Sequence, residues 1–359
     1  MTKKREIIYL TYGTDTPTIG RNINTKRRKE ILEKLKFNVW VYSCNNRSFI
    51  KDCVHLLPQL IKSDYVIIRI DGSGILDKFT ILKLLKWRIE IFWEIHGFPE
   101  ENLFNQNDIH IKNLVRWQNV KRKILSFLVN KYIFISKTLQ AYAQNKLTKK
   151  QQCVIPNFIH INKKITNNEF SDSLIKHLFS DPNLYIIIWV GNGTVRWHAL
   201  DTIENVAKRI YPIDKSIIFI IIGANKWHTF RWRKNLILLD SLPDDQLRQA
   251  INASNITLAL YHKNKHHPLY FSPLKILDYM AVKKPIIATN GEGIKEMIVD
   301  GQNGLLTNNS TKNIVKNILY FKKNNQISVR FGHNAYKTAV QNYSDYSAYC
   351  LYRSAFTQT

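Results

Sequence analysis

The feature that most constrains the fold is a rhythm of short β-rich apolar runs separated by helix-length segments. Ile7–Tyr12, Phe37–Tyr42, Tyr65–Ile70, Ile89–Ile95 and Tyr132–Ile135 form one series. Leu184–Val190, Ile217–Ile222, Leu236–Leu239, Ile256–Leu260 and Pro285–Ala288 form a second. Runs of this length alternating with helices predict parallel sheets with crossover helices. Between the series, residues 157–182 are polar and poorly periodic, which reads as a linker. The expected division is an N-terminal domain over 1–160, a linker over 161–182, a second domain over 183–335 and a helical return over 336–359. In open α/β sheets ligands bind outside the carboxyl ends of the strands. With two such domains facing each other, the expected site is the cleft between them.

Composition narrows the partners. Hydrophobic residues make up 45% of the 359, enough for real cores. Lys and Arg exceed Asp and Glu by 26, and the first 160 residues hold +15 of this excess. Such a balance favours phosphorylated ligands, an anionic membrane or nucleic acid. For nucleic acid no recognition module or zinc knuckle is visible, and the aromatics fall inside strand and helix patterns. Cys44, Cys53, Cys153 and Cys350 lack metal-ligand spacing and suggest reduced thiols, with no disulfide framework and no zinc site. No apolar run reaches the ~20 residues of a membrane span. The expected location is cytoplasmic, with a peripheral position at the inner face of the cell membrane as the further expectation.

One helical segment supports that further expectation. In Lys112–Val129, Leu114, Trp117, Val120, Ile124, Leu125, Phe127 and Leu128 share one broad arc. Lys112, Arg116, Arg122 and Lys123 lie opposite, and Lys121 interrupts the apolar side. This pattern suits a helix lying on anionic lipid. It equally suits a crossover helix packed on a sheet.

The chemistry concentrates in Pro268–Leu306. Ser272-Pro273 reads as a helix start, Ser as N-cap and Pro at the first helical position. Free N–H groups and the positive dipole end there suit a phosphate. Lys275 in the first turn opposes the dipole unless an anion is near. Asp278 follows on the same helix and offers several lone pairs to sugar hydroxyls.

This segment resembles the C-terminal motif of the glycosyl transferases group 1 family, retaining enzymes of family 4 type with the GT-B fold. Asp278-Tyr279-Met280-Ala281, Lys284-Pro285-Ile286-Ile287-Ala288, Gly291-Glu292-Gly293, Glu296 and Asp300–Leu306 follow the family order and spacing. The resemblance implies an α/β GT-B chain, two Rossmann-like βαβ domains facing across a central cleft. It places the family's second acidic position on Asp278, as a ribose ligand, and the first on Tyr270, a departure from the usual carboxylate. Backbone N–H groups in the stretch Ser272-Pro273-Leu274-Lys275, where Pro273 itself has none to offer, would face a diphosphate.

Other pieces fall in the same order. Gly191, followed by Arg196 and His198, resembles the first strand and loop of the donor domain, with Arg196 and His198 as a diphosphate clamp. Gly223 resembles the Gly-ended strand before the base pocket, with Lys226 as a second phosphate cation. Ile155-Pro156-Asn157 resembles the interdomain hinge. In the first domain His96, at the end of Glu94-Ile95-His96-Gly97, matches a strand-end His that binds the donor sugar or positions the acceptor. Gly13 and Gly20 lie in the first βα loop, where the family's backbone approaches the donor phosphate, and Arg21 and Arg69 on the same side are either ligands of an acidic or phosphorylated acceptor or surface charges. The resemblance implies transfer of a sugar from a nucleotide-sugar donor to a hydroxyl, with retention, no metal and no cofactor beyond the donor as substrate. The implied acceptor is a surface glycan or lipid-linked sugar of capsule, exopolysaccharide or lipopolysaccharide. Another GT-B enzyme, such as a nucleotide-sugar epimerase or a phosphorylase, and a catalytically silent GT-B subunit remain open alternatives.

Overall fold

The structure, a computed structural model, describes residues 5–12, 20–44, 49–69, 89–104, 108–161, 173–193, 195, 197–224, 230–264 and 266–357. The chain divides into two compact units. Unit 1 comprises 1–157, Tyr270–Ser272 and Asp345–Thr359, and unit 2 comprises Phe158–Leu269 and Pro273–Ser344.

Unit 1 is built on β1 (Glu6–Tyr12), β2 (Asn38–Cys44), β3 (Tyr65–Ile68), β4 (Glu90–Ile95), β5 (Lys131–Phe134) and β6 (Gln151–Val154). They form one parallel sheet in the order β2-β1-β3-β4-β5-β6. Unit 2 repeats the plan with β7 (Tyr185–Val190), β8 (Ile217–Ile222), β9 (Leu236–Leu239), β10 (Ile256–Ala259), β11 (Ile286–Thr289) and β12 (Leu305–Thr307). Their order is β12-β11-β10-β7-β8-β9, again parallel. This is the doubly wound arrangement in which the chain moves outward on one side of β7 and returns to build on the other.

Every residue of β8, Ile217–Ile222, is buried. A parallel strand covered by helices on both faces needs apolar side chains at every position, not alternation. The helix Leu200–Ile210 closes one face by burying Leu200, Ile203, Val206, Ala207 and Ile210. Those positions recur at the three-to-four spacing of one helical side. In unit 1, Ile8, Leu10, Val66, Ile68, Ile91, Trp93 and Phe134 belong to one apolar cluster, which also takes in Tyr270. Its C-terminal helix, Asp345–Thr357, adds Phe356 against Phe37, Tyr65 and Phe92, with ring centroids 4.8–5.0 Å apart.

Three local expectations are corrected. A helix, Ser173–Ser180, stands inside the segment read as linker. Pro273, not Ser272, is the N-cap residue of the helix Leu274–Ala281, so the N–H-lacking residue lies just before the first turn. β6 and β12 are absent from the sequence reading.

Candidate functional site

In unit 2 the strand order reverses between the parallel neighbours β7 and β10, so the chain leaves their carboxyl ends toward opposite edges of the sheet. Gly191 ends β7, with its N–H donating to Ile222 O at 3.0 Å. A Cβ on Gly191 would lie 2.9 Å from Lys275 Nζ. Gly223, at the end of β8, has φ +88°, and a Cβ there would meet Gly191 O at 2.6 Å. Both glycines let backbone and a cation approach where side chains would block them.

Lys275 is the central finding. It is the second residue of the helix Leu274–Ala281. The residue as a whole is partly exposed, but its Nζ is buried and has no hydrogen-bond partner. The ammonium lies 4.0 Å from the Trp189 ring centroid and 5.1 Å from that of Tyr261. Two aromatic faces offer it attraction through their quadrupoles. They do not replace its hydration, so desolvation pushes Lys275 well below the usual lysine range. A cation in a first helical turn is also opposed by the dipole.

Two imidazoles share this region. His198 packs edge-on to Trp189, with centroids 5.1 Å apart. Its Nδ1 lies 2.8 Å from Asn192 O. A carbonyl only accepts, so Nδ1 carries the proton and Nε2 the lone pair. Burial first, and the Lys275 charge second, hold His198 well below its ordinary value. His267 stacks on Trp197 at 4.4 Å and is pushed down to about 4 by burial. The three basic groups thus carry less charge than they could, in a place where an anion would restore it. Asp278 lies partly exposed one turn beyond Lys275. Tyr279 fixes the helix to the sheet, accepting from Val190 N at 3.1 Å and donating to Leu258 O at 3.2 Å.

In unit 1 a fully buried carboxylate, Glu94, gathers a second constellation. Tyr9 donates to its Oε2 at 2.7 Å. Arg28 Nε lies 3.1 Å and Arg69 Nε 3.7 Å from its Oε1, and His96 Nε2 contacts the same oxygen. Despite its burial, the surrounding cations, Arg28 first, hold Glu94 far below the carboxylate range. Burial and the Arg69 charge push His96 down to about 4, against the opposing pull of Glu94. A neutral His96 therefore donates from Nε2 to Glu94 and keeps a lone pair on Nδ1. Arg69 also donates to Thr25 Oγ1 at 2.9 Å, so it belongs to this buried network.

Tyr270 lies in unit 1 with its ring fully buried. Its hydroxyl donates to Glu101 Oε1 at 2.6 Å and accepts from Phe98 N at 3.3 Å. Ser136 Oγ donates to its carbonyl. The phenol is therefore committed internally, and the carboxylate it holds is the partly exposed Glu101. Ser272 O accepts from Asn157 Nδ2 at 2.6 Å.

The structure thus brings Gly191, Gly223, His198 and Lys275 together in unit 2, with Leu274 and Asp278 on the same helix as Lys275 and Pro273 capping it. It places His96, Tyr270 and Ser272 in unit 1. Arg196, Lys226 and Gly13 lie outside the described residues, as do the surroundings of Gly20 and Arg21. Glu94 and Arg28 escaped the sequence reading. Glu94 and His96 are two apart on a strand end, hence on one face, and that spacing was the available signal. Nothing in the sequence marks Glu101, or the depth of Trp189 and Tyr261.

Comparison with known proteins accords with this geometry. Residues 185–324 match the family model described as glycosyl transferases group 1. No curated protein matches the chain by sequence. Among solved structures, sucrose-phosphate synthase from Thermosynechococcus elongatus superposes with a TM-score of 0.74 at 12% identity, over 99% of this chain and 100% of that one. HepE from Anabaena, in complex with UDP-glucose, gives 0.74 at 14% identity over 99% and 100%. A glycosyltransferase from Rickettsia africae gives 0.72 at 14% over 99% and 98%. At such identities the likeness establishes the fold, a two-domain α/β GT-B architecture. Together with the family match over the second domain, it makes the chain a glycosyltransferase by class.

Proposed function

We infer that the chain transfers a sugar from a nucleotide-sugar donor to a hydroxyl, with retention and without a metal. The carrying observation is Lys275: a buried, unpartnered ammonium at a helix start, beside two glycines at the sheet's switch point. A nucleoside diphosphate is the ligand that such a site fits. The leaving diphosphate gains negative charge as the glycosidic bond breaks, and a fixed cation in a dry pocket stabilises that charge strongly. Lys275, a protonated His198 and the first-turn N–H groups supply this from the protein itself, and Arg196 joins them by the family resemblance. Asp278 takes ribose hydroxyls. HepE is seen with UDP-glucose, which supports a nucleotide-sugar donor for this chain too.

In unit 1, His96 accepts a hydrogen bond from a sugar hydroxyl through Nδ1, and Glu94 fixes its tautomer. Glu101, held by Tyr270, supplies the carboxylate that position 270 lacks. The acceptor in this reading is a surface glycan or lipid-linked sugar, met at the inner face of the cell membrane. The test is a thermal-shift panel of UDP-, GDP-, ADP- and dTDP-sugars with and without EDTA, followed by NMR of the product's anomeric configuration. A ligand bound only by the folded state raises the melting temperature. A shift by one nucleotide class, unchanged by EDTA, and a retained anomeric configuration are expected. A shift abolished by EDTA, or an inverted product, overturns the reading. No shift from any of them favours the silent GT-B subunit.

A further inference from the structure

We propose that the helix Ile109–Leu125, continued by the turn Ser126–Leu128, docks unit 1 on the headgroup layer of an anionic lipid bilayer. An amphipathic helix in a soluble domain turns its apolar stripe to the core. This one does the reverse. Its core side is Val115, Arg122 and Leu125. The Arg122 guanidinium lies 4.9 Å over the Trp93 ring and 4.6 Å over Phe98, and donates to Gly97 O at 3.2 Å. Ile109, Leu114, Trp117, Val120, Ile124 and Phe127 face outward, each 50–66% exposed. At 100° per residue, Ile109, Trp117, Val120 and Ile124 fall within about 80° of one another.

Charge decides the occupant. On the same wheel Lys112, Arg116 and Lys123 border the apolar strip on one side, and Lys121 borders it on the other. Lys121 Nζ sits 5.7 Å from the Trp117 ring. No Asp or Glu occurs in Ile109–Leu125. A second copy would set these cations against their own kind, in a chain with a net charge of +26. An apolar strip with basic borders instead matches a layer of anionic headgroups over acyl chains. No helix among the described residues is long and apolar enough to cross a membrane, so the contact is with the surface. This inference deepens the membrane placement proposed above and is independent of the transfer chemistry.

The experiment is flotation of the full chain with vesicles of phosphatidylcholine alone or mixed with phosphatidylglycerol, in low and raised salt. The wild type is expected to float with the mixed vesicles only, less in raised salt. Trp117→Glu/Ile124→Glu is expected to lower partitioning at least tenfold, and Arg116→Glu/Lys123→Glu to lower it mainly in low salt. Circular dichroism and nucleotide-sugar thermal shifts on the same samples should be unchanged, which separates loss of docking from misfolding and from failure of the donor assignment. Equal flotation of wild type and Trp117→Glu/Ile124→Glu overturns the proposal. So does absence of flotation by the wild type, which would assign the strip to an acidic protein partner. So does a concentration-dependent dimer that this double change abolishes.

Discussion

Tyr270 holds Glu101: a phenol with no exposed surface donates at 2.6 Å to the Oε1 of a partly exposed carboxylate. The residue that departs from the family's acidic position thus orients an acid supplied by another segment. Under the proposed role of Glu101 at the donor sugar, Glu101→Gln is expected to lower kcat at least tenfold with little change in stability. Tyr270→Phe should destabilise by roughly 1.5–3 kcal/mol, for loss of a hydrogen bond to a carboxylate and of the acceptor for Phe98 N. It should also lower kcat through the freed Glu101. Steady-state kinetics with thermal melts of both variants check this, and unchanged turnover in Glu101→Gln removes the role.

Lys275 sets stability against binding. Lys275→Met removes a buried ammonium with no hydrogen-bond partner and keeps an unbranched chain against Trp189 and Tyr261. The protein should melt a few degrees higher, since about 1 kcal/mol shifts a domain of this size by ~2–4 °C. The donor should bind about 10–100-fold more weakly, for loss of a charged hydrogen bond of roughly 1.5–3 kcal/mol. Calorimetry and differential scanning fluorimetry read the two effects separately. A lowered melting temperature with unchanged affinity would make Lys275 a structural residue.

Donor binding should take up protons. Lys275 and His198 are both held below their ordinary values by burial, and a diphosphate favours their charged forms. The groups facing them are Tyr261, Trp189 and His267, none of which supplies a negative charge. Affinity for a nucleotide-sugar should therefore rise as pH falls. The donor's diphosphate has no secondary ionisation near neutrality, so the effect belongs to the protein. Titration calorimetry in buffers of different ionisation enthalpy counts the protons, and zero uptake rejects the mechanism.

Stability should decline on mild acidification. His96 and His267 sit at about 4 when folded, against 6.5 when free. Between those values the unfolded chain binds more protons, so the folded state loses ground as pH drops from about 6.5 towards 4. Each contributes on the order of 1–3 kcal/mol across that window. Glu94, held low by Arg28, adds stability above the free carboxylate value near 4.3 that is lost on further acidification. Melts at pH 7, 6 and 5 check this. His96→Gln should flatten the slope while leaving that of His267.

The strands of unit 2 were legible because burial on both faces writes itself as uninterrupted Ile, Leu and Val, as in Ile217–Ile222. β6 was not. Gln151-Gln152-Cys153-Val154 is an edge strand whose two glutamines are exposed and whose Cys153 and Val154 are only partly buried, and its pairing to β5 rests on backbone bonds that composition does not record. The helix and its first-turn lysine could be read to within one residue of the start, but not the depth of the Nζ, which depends on Trp189 and Tyr261 converging from distant positions. Amphipathicity in Ile109–Leu125 was plain, while the side facing the core was not. Arg122 is there because Trp93, Phe98 and Gly97 O receive it.

The assignment of Tyr270–Ser272 to unit 1, between Leu269 and Pro273 of unit 2, has a practical consequence for anyone dissecting the protein. A fragment spanning residues 158–344 would carry the helix that bears Lys275 together with a short loop whose packing partners were left behind. Tyr270 would then be a solvent-facing aromatic on the strand-to-helix connection next to that lysine. Binding measured on such a fragment would describe a loosened site. Neither half of this enzyme can be cloned as an uninterrupted stretch of its gene and keep its own complement of residues.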